Sequence, residues 1–485
     1  MDNQNSLQNP NPQIGAPEQP TTSEETFFVT TAIDYMTDLP HIGHAQEKLS
    51  ADILARYWRR RGRDVFFLAG TDEHGLKVSR AAEKAGLGPK QFVDEMTLKY
   101  KATWSAIEIK YDNFIRTTDP EHEKYVQDFL NKLYGFGEIY KDRYQGLYCV
   151  GCEEYKVQKE LLPGNLCPIH KTKCQGVYED VYFFKLSKYQ GDLLDVIEKE
   201  KIIIEPKERK NEILSFLKKE PLLDLAISRS NVGWGIPVPW DKAQTIYVWV
   251  DALLNYITGS RGHWPPSLQI IGKDISRFHC IIWPALLLAA GLELPRKIFI
   301  HGHMTIGKQK ISKSTGNVID PLQIVKMYGV DPLRYFLFRE VPFGRDGDFS
   351  LDRFENRYRH DLANDLGNLV QRTIAMANQY QVKWQYQTVT KTFHLIDQAL
   401  EDLKFDRALD LIWEIISEAN QKIDSEKPWV LAKENRTRLN DVICQLLNNL
   451  SQIAYQLDPF MPETTWSMIE QLKSLKPSPL FPRKK

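Results

Sequence analysis

Two short strings far apart in the chain carry side chains suited to binding phosphate. Pro40-His41-Ile42-Gly43-His44 follows an apolar, β-rich run from Phe27 to Ile33 and opens a stretch of helical periodicity from Ala45 to Arg59. A strand-to-helix turn aims free amides and the positive end of a helix dipole at whatever lies before it, which favours an anion. His41 and His44, three apart, project from one face of that first turn, and Gly43 lets a flat ring approach the backbone. The second string, Lys310-Ile311-Ser312-Lys313-Ser314, follows the strand-like run Lys297 to Ile300 in a segment punctuated by Gly302, Gly307 and Gly316. Two cations on a mobile loop suit a departing pyrophosphate, so together the strings point to ATP chemistry. Gly302 to Lys308 mimics the opening of a Walker A loop, but Gln309 stands where the hydroxyl residue belongs and no strand-to-helix register follows.

A third constellation is metal-like. Cys149-x-x-Cys152 and Cys167-Pro168-Ile169-His170 are two ligand pairs joined by fourteen residues, the spacing of a knuckle that closes a tetrahedral Zn²⁺ site. Four protein ligands leave no place for water, so such a zinc is structural. Cys174 is the alternative to His170 as fourth ligand.

The elements that must position these groups alternate. Strand-like runs at Phe27 to Ile33 and Val65 to Ala69 are interleaved with helical patterns, and Ile270 to Gly272 and Lys297 to Ile300 resume the alternation after a long interruption. The expectation is an α/β fold with a doubly wound parallel sheet of Rossmann type, split by a zinc-binding insertion. Parallel sheets gather ligands outside the carboxyl ends of their strands, where His41, Asp72, Asp274 and the lysine loop would all fall. From about Asp361 the strand signals fade and amphipathic helical patterns take over, as in Leu395 to Glu418 and Leu439 to Leu457, which predicts an α-helical bundle. The expected divisions are a disordered tail over 1–25, a first half-sheet domain over 26–135, the insertion over 136–235, a second half-sheet domain over 236–300, the lysine-loop region over 301–360 and the bundle over 361–485.

At 485 residues the chain exceeds the size of a single core, which stops growing near roughly 250 to 300 residues. Its 63 basic and 63 acidic residues cancel, so any nucleic-acid surface must be a local patch. Arg59-Arg60-Arg61 with Arg63, beside Trp58, is one candidate, with a solvated helix end as the equally good alternative. Six cysteines, four of them between Cys149 and Cys174, argue for metal and a reducing compartment rather than a disulfide framework. The longest apolar run, Cys280 to Gly291, is too short to span a bilayer and contains Pro284. The first twenty-five residues lack arginine and resemble no signal or transit peptide.

With the intact HIGH tetrapeptide and a KISKS loop, the chain resembles the class I aminoacyl-tRNA synthetases, the one departure being Ile311 for the usual Met. Gly70-Thr71-Asp72-Glu73-His74-Gly75, Ile227-Ser228-Arg229, Trp234-Gly235-Ile236-Pro237, Tyr247-Val248-Trp249-Val250-Asp251, Gly272-Lys273-Asp274 and Asn364-Asp365-Leu366-Gly367-Asn368 narrow the resemblance to the methionyl enzymes. It runs from about Phe27 to the C-terminus. It implies a cytoplasmic, monomeric ligase that activates L-methionine with ATP and Mg²⁺ and loads it onto tRNA(Met), initiator tRNA included, with no membrane partner. Under it, His41, His44, Lys310 and Lys313 are catalytic, and Gly43, Asp274 and Ser312 join the lysines in holding ATP. Asp72 binds the amino acid's ammonium group. Ile33, Tyr35, Trp249, Leu253, Tyr256 and His279 enclose the thioether. Cys149, Cys152, Cys167 and His170 hold one zinc ion in a knuckle that helps position the acceptor end of the tRNA. Asn368, Arg372 and Trp429 read the anticodon.

Rival readings fare worse on the sequence. The stretch between Gly70 and Trp249 is too short for the hydrolytic editing domain of the isoleucine, valine and leucine enzymes, and the cysteines lie far from the pocket motifs, unlike a cysteinyl enzyme. A pure tRNA binder has no need of His41, His44, Lys310 and Lys313.

Overall fold

The computed structural model describes residues 26–151, 154–156, 158–168, 171–230, 233–307, 309–310, 319–389 and 393–482. The expected tail over 1–25 lies outside them, as do Cys152, His170, Ile311, Ser312 and Lys313.

A seven-stranded parallel sheet forms the centre. Phe27–Thr31 lies between Val65–Asp72 on one side and Leu268–Gly272 on the other, so one strand joins two chain segments some two hundred residues apart. Beyond Val65–Asp72 sits Asn113–Arg116, and Asp34–Tyr35 pairs with the end of the same strand. On the far side Lys297–His301 pairs with Leu268–Gly272, and Ile203–Glu205 closes the edge. The three central strands are largely apolar because helices cover both faces. Phe27–Thr31, Val65–Asp72 and Leu268–Gly272 are buried at every position. The expected parallel sheet is borne out; Asp34–Tyr35, Asn113–Arg116 and the three-residue edge strand were not anticipated.

Between the two halves of the sheet, Ile139–Cys149 and Gln175–Phe184 form a long antiparallel pair in continuous register from Ile139↔Phe184 to Tyr148↔Gln175. With Glu154–Lys156 and Leu225–Ala226 they make a four-stranded sheet, and the cysteine segment forms its tip.

After Leu351 every described element is a helix, as expected for this region. Arg436–Leu457 contains the predicted helix, but the pattern from Leu395 to Glu418 is two helices, His394–Glu401 and Phe405–Glu426. The break falls at Leu403, whose φ of 56° ends the first helix while its side chain stays in the core at 3 % exposure. No glycine marks this left-handed residue, so the stop signal is invisible to periodicity.

The bundle is fastened to the catalytic layers by buried charge. Arg334, fully buried, donates to Asp52 Oδ2 at 2.6 Å, to the carbonyls of Phe460 and Pro459 at 2.8 and 3.0 Å, and to that of Ile107 at 3.2 Å. Burial pushes Asp52 up, but Arg334 and Arg56 override it and hold the carboxyl below its ordinary value. The arginine cluster at the end of the first helix belongs to the same seam. Arg60 stacks 3.9 Å over Tyr455 and donates to its carbonyl, Arg61 pairs with Asp397 at 3.0 Å, and Arg59 pairs with Asp112 at 2.5 Å. In that patch Arg60 and Arg61 are tied to the bundle. Replacing Arg334 with alanine removes the fully buried partner of Asp52, leaving only the partly exposed Arg56, and orphans the carbonyls of Pro459 and Phe460; it is expected to cost about 3 kcal/mol in denaturant unfolding at neutral pH. A loss under about 1 kcal/mol would show that the seam does not depend on this pair.

Candidate functional site

At the carboxyl ends of the strands lies a cavity of about 370 Å³. Residues from both halves of the split sheet line it. His41, Gly43, His44, Asp72, Ile33, Tyr35, Trp249, Leu253, Tyr256, Asp274 and His279 all meet there, so every described residue expected at the ATP and amino-acid sites, Lys310 apart, is brought together.

The first helix, Ile42–Arg60, begins with a capping box built from two imidazoles. His41 Nδ1 accepts from the Gly43 N–H at 3.1 Å, and His44 Nδ1 accepts from the His41 N–H at 3.3 Å. A nitrogen that accepts from a backbone amide carries no proton, so each ring keeps its hydrogen on Nε2. The rings stack at 3.9 Å. Withdrawal from water, then the neighbouring His41 and Lys48, lower His44 well below its ordinary pKa, so it remains a neutral donor. The pair therefore offers two oriented Nε2–H groups with no added charge.

On the opposite wall, Tyr256 Oη lies 2.7 Å from His279 Nε2, and His279 Nδ1 donates to the Ile275 carbonyl at 3.0 Å. That carbonyl fixes the tautomer, so Nε2 accepts and the tyrosine donates. Burial lowers His279 to about 4. Trp249 stacks on Phe278 with centroids 3.8 Å apart, giving the wall a flat aromatic face.

Beneath the cavity is a buried charged network that sequence reading missed. Lys48 Nζ reaches Asp34 Oδ1 at 2.8 Å, Glu47 Oε1 at 2.8 Å and the Ala32 carbonyl at 2.7 Å, while Glu47 Oε2 meets His301 Nε2 at 3.0 Å. Burial raises Asp34 to about 6, outweighing Lys48; Glu47, also pushed up by burial, is held low by Lys48 and His301. All four line the cavity. A faint signal existed: Glu47-Lys48 sits one turn beyond the histidine pair, on the same helix.

Asp274, in the short turn Lys273–Ile275, is met by His303 Nε2 at 3.2 Å. Next to it Gly302 is obligatory, because a Cβ there would meet the Arg345 carbonyl at 2.2 Å. Met304–Ile306 and Gln309–Lys310 pair antiparallel, so the Walker-like string is a hairpin and the decoy is discounted. Lys310 ends that hairpin, while Ser312 and Lys313 lie outside the described residues.

Sequence comparison fits this geometry. The profile of the tRNA synthetases class I (M) matches residues 27–178 and 156–374. The chain belongs to the class I methionyl-tRNA synthetase family. It is 44 % identical over 474 residues to the methionine–tRNA ligase of Caldanaerobacter subterraneus subsp. tengcongensis, covering 93 % of this chain and 74 % of that one. It is 40 % identical over 479 residues to that of Nostoc sp., covering 93 % and 90 %. The structure of Mycobacterium tuberculosis methionyl-tRNA synthetase in complex with methionyl-adenylate superposes with a TM-score of 0.87 at 36 % identity, covering 95 % of this chain and 100 % of that one.

The family's other expected sites lie elsewhere. Cys149, Cys167 and Cys174 are buried together against Leu147 and Leu161 at the insertion tip, with Cys152 and His170 outside the described residues. Backbone bonds run from Cys167 N to Thr172 O and from Lys171 N to Cys167 O. Burial, then Cys149 and Cys167 beside it, raise the Cys174 thiol. In the bundle, Asn368 and Arg372 are exposed on one helix, Arg372 pairs with Asp424 at 3.2 Å, and Trp429 is 46 % exposed rather than a core residue.

The depressed His279 gives a signed pH prediction. Its folded pKa lies below the ordinary value of 6.5, so its contribution to stability is full above pH 6.5 and is lost as pH falls toward about 4. Between pH 7 and pH 5 the wild type should lose about 2 kcal/mol more in urea unfolding than His279→Gln. Equal losses would mean that the ring is not held neutral.

Proposed function

We propose that the chain is a methionine–tRNA ligase: it activates L-methionine with ATP to methionyl-adenylate and pyrophosphate, then transfers methionine to the 3′ end of tRNA(Met), initiator included. The observation that carries this reading is the single cavity, in which an imidazole pair with fixed Nε2–H donors faces a carboxylate and an aromatic wall.

In the first step a carboxylate oxygen of methionine bonds to the α-phosphorus, the bond to the bridging oxygen of the β-phosphate breaks, and pyrophosphate leaves with that electron pair. The nucleophile is already anionic, so no general base is needed. The protein's task is to orient the reactants and to neutralise charge on phosphate oxygens as it develops. His41 and His44 serve the α-phosphate, and Lys310 and Lys313 the leaving pyrophosphate. Gly43 and Ser312 border the phosphates, and Asp274 holds a ribose hydroxyl. Mg²⁺ bound with ATP would supply further positive charge to the phosphates. Asp72 receives the ammonium group. Ile33, Tyr35, Trp249, Leu253, Tyr256 and His279 surround the thioether, for which aromatic contacts contribute up to roughly 1.5 kcal/mol each. In the second step a ribose hydroxyl of the terminal adenosine attacks the activated carbonyl, and AMP leaves. Exposed Asn368, Arg372 and Trp429 suit reading of unpaired anticodon bases by edge hydrogen bonds and stacking.

We also assign a structural zinc to Cys149, Cys152, Cys167 and His170, with Cys174 as the competing fourth donor. The buried thiol cluster suits a borderline-soft ion, which would tie the insertion's tip together. We further propose that the enzyme works in the cytoplasm as a monomer. Among the described residues no helix is long and apolar enough to cross a membrane.

Amino-acid-dependent exchange of pyrophosphate into ATP, run with each of the standard amino acids, tests the reading. Methionine should drive it best, and His44→Ala should slow it by about a hundredfold. Exchange driven best by leucine or cysteine would sink the assignment. For the metal, elemental analysis should find zinc lost from Cys149→Ser and His170→Ala and kept in Cys174→Ser. Zinc kept in His170→Ala and lost from Cys174→Ser would give Cys174 the fourth place.

A further inference from the structure

Behind the cavity lies a second buried cluster that the reaction scheme leaves without a role. Asp251, on the short helix Val248–Leu253, is 1 % exposed. Its Oδ2 is 2.7 Å from His74 Nδ1 and its Oδ1 is 2.8 Å from His122 Nε2. Both imidazoles are buried, at 3 % and 0 % exposure. A carboxylate has only lone pairs to offer, so both facing ring nitrogens carry hydrogens and Asp251 accepts from two sides. His122 Nδ1 in turn meets Thr258 Oγ1 at 2.7 Å, and His74 Nε2 lies 3.6 Å from Glu123 Oε1. Burial works against the charged form of His74, but Asp251 overrides it and holds the ring at about pKa 10.

Each member of the cluster belongs to a different segment. His74 follows Asp72 by two residues, just past the end of Val65–Asp72. Asp251 stands between Trp249 and Leu253, both of which line the cavity. His122 is on the helix Pro120–Gly135. The intervening Glu73 points the other way, where Arg116 Nε and Nη2 grip its carboxylate at 2.7 and 2.9 Å. The Trp234 indole holds the Glu73 carbonyl at 2.6 Å. Residues 72–74 are thus pinned on one side to the first half-sheet and on the other, through His74, to the helix that carries the aromatic wall.

We infer that Asp251, clamped between His74 and His122, is a positioning residue that sets the distance between the ammonium-binding Asp72 and the side-chain wall of Trp249 and Leu253, and so sets affinity for the amino acid rather than for ATP. Asp251 touches neither substrate. The histidine pair and the lysine loop that serve the phosphates hang from other elements, so releasing the clamp should leave ATP alone. This inference rests on the assignment of Asp72 to the amino acid.

Pyrophosphate exchange with both substrates varied tests it. Asp251→Asn turns an amide hydrogen toward one of the two imidazole N–H groups and should raise the KM for methionine about tenfold or more, with the KM for ATP within about twofold of wild type. His74→Leu, which has no donor for Asp251, should do the same. His74→Asn, whose Nδ2 takes the place of the Nδ1–H that meets Asp251, should recover most of the affinity. If Asp251→Asn does not fold, the two His74 variants decide. An unchanged methionine KM, or methionine and ATP KM values that rise together, overturns the clamp while wild-type exchange remains methionine-dependent. Loss of methionine dependence in the wild type itself would remove the functional reading and the clamp with it.

Discussion

The structure depends on one strand. Phe27–Thr31 pairs in parallel with Val65–Asp72 on one side and with Leu268–Gly272 on the other, so it sets the register between two halves of a sheet that the chain completes only after a long excursion. Val29 is opposite Phe67 and Leu268 at once. A one-residue slip on either side would invert the faces of a strand buried throughout and displace its carboxyl end by a residue's rise. Because a parallel sheet presents its ligand groups at those ends, that register is what lets Asp72 and Asp274 face one cavity.

What the strand brings together, charge keeps there. Arg334 with Asp52 locks the bundle onto the first helix, and Lys48 with Asp34 and Glu47 locks that helix onto the strand ends. Each buried ion is costly to desolvate, and each is matched by several partners, so removing any one leaves the others under-compensated. Such networks specify one arrangement more than they add net stability. The site needs that specificity, because its own working groups, the neutral His41, His44 and His279 rings, offer only directional hydrogen bonds and are useful only if aimed.

Much of this was legible in the sequence. The HIGH string, the runs ending near Asp72 and Asp274, and the aromatic residues around Trp249 all report local chemistry, and the structure gathers them into one cavity. What escaped was tertiary. Lys48 and Glu47 read as the polar face of an amphipathic helix, but this helix is covered on nearly every side, so its charges must pair internally. Arg59, Arg60 and Arg61 looked like a surface patch because nothing local reveals that Tyr455, Asp397 and Asp112 meet them. Leu403 breaks a helix without glycine because packing of its own side chain holds the left-handed turn. His122 is one histidine on a long amphipathic helix, and only the fold shows that it faces Asp251.

The central claim is that one cavity, assembled from both halves of the sheet, holds the amino acid and the nucleotide in line. A crystal structure of the chain with methionine and a non-hydrolysable ATP analogue tests it most directly. The account predicts the ammonium group within about 3 Å of Asp72 and α-phosphate oxygens within about 3 Å of the Nε2 atoms of His41 and His44. Methionine bound away from Asp72 and Trp249, or a nucleotide whose α-phosphate lies beyond reach of the histidine pair, would contradict it.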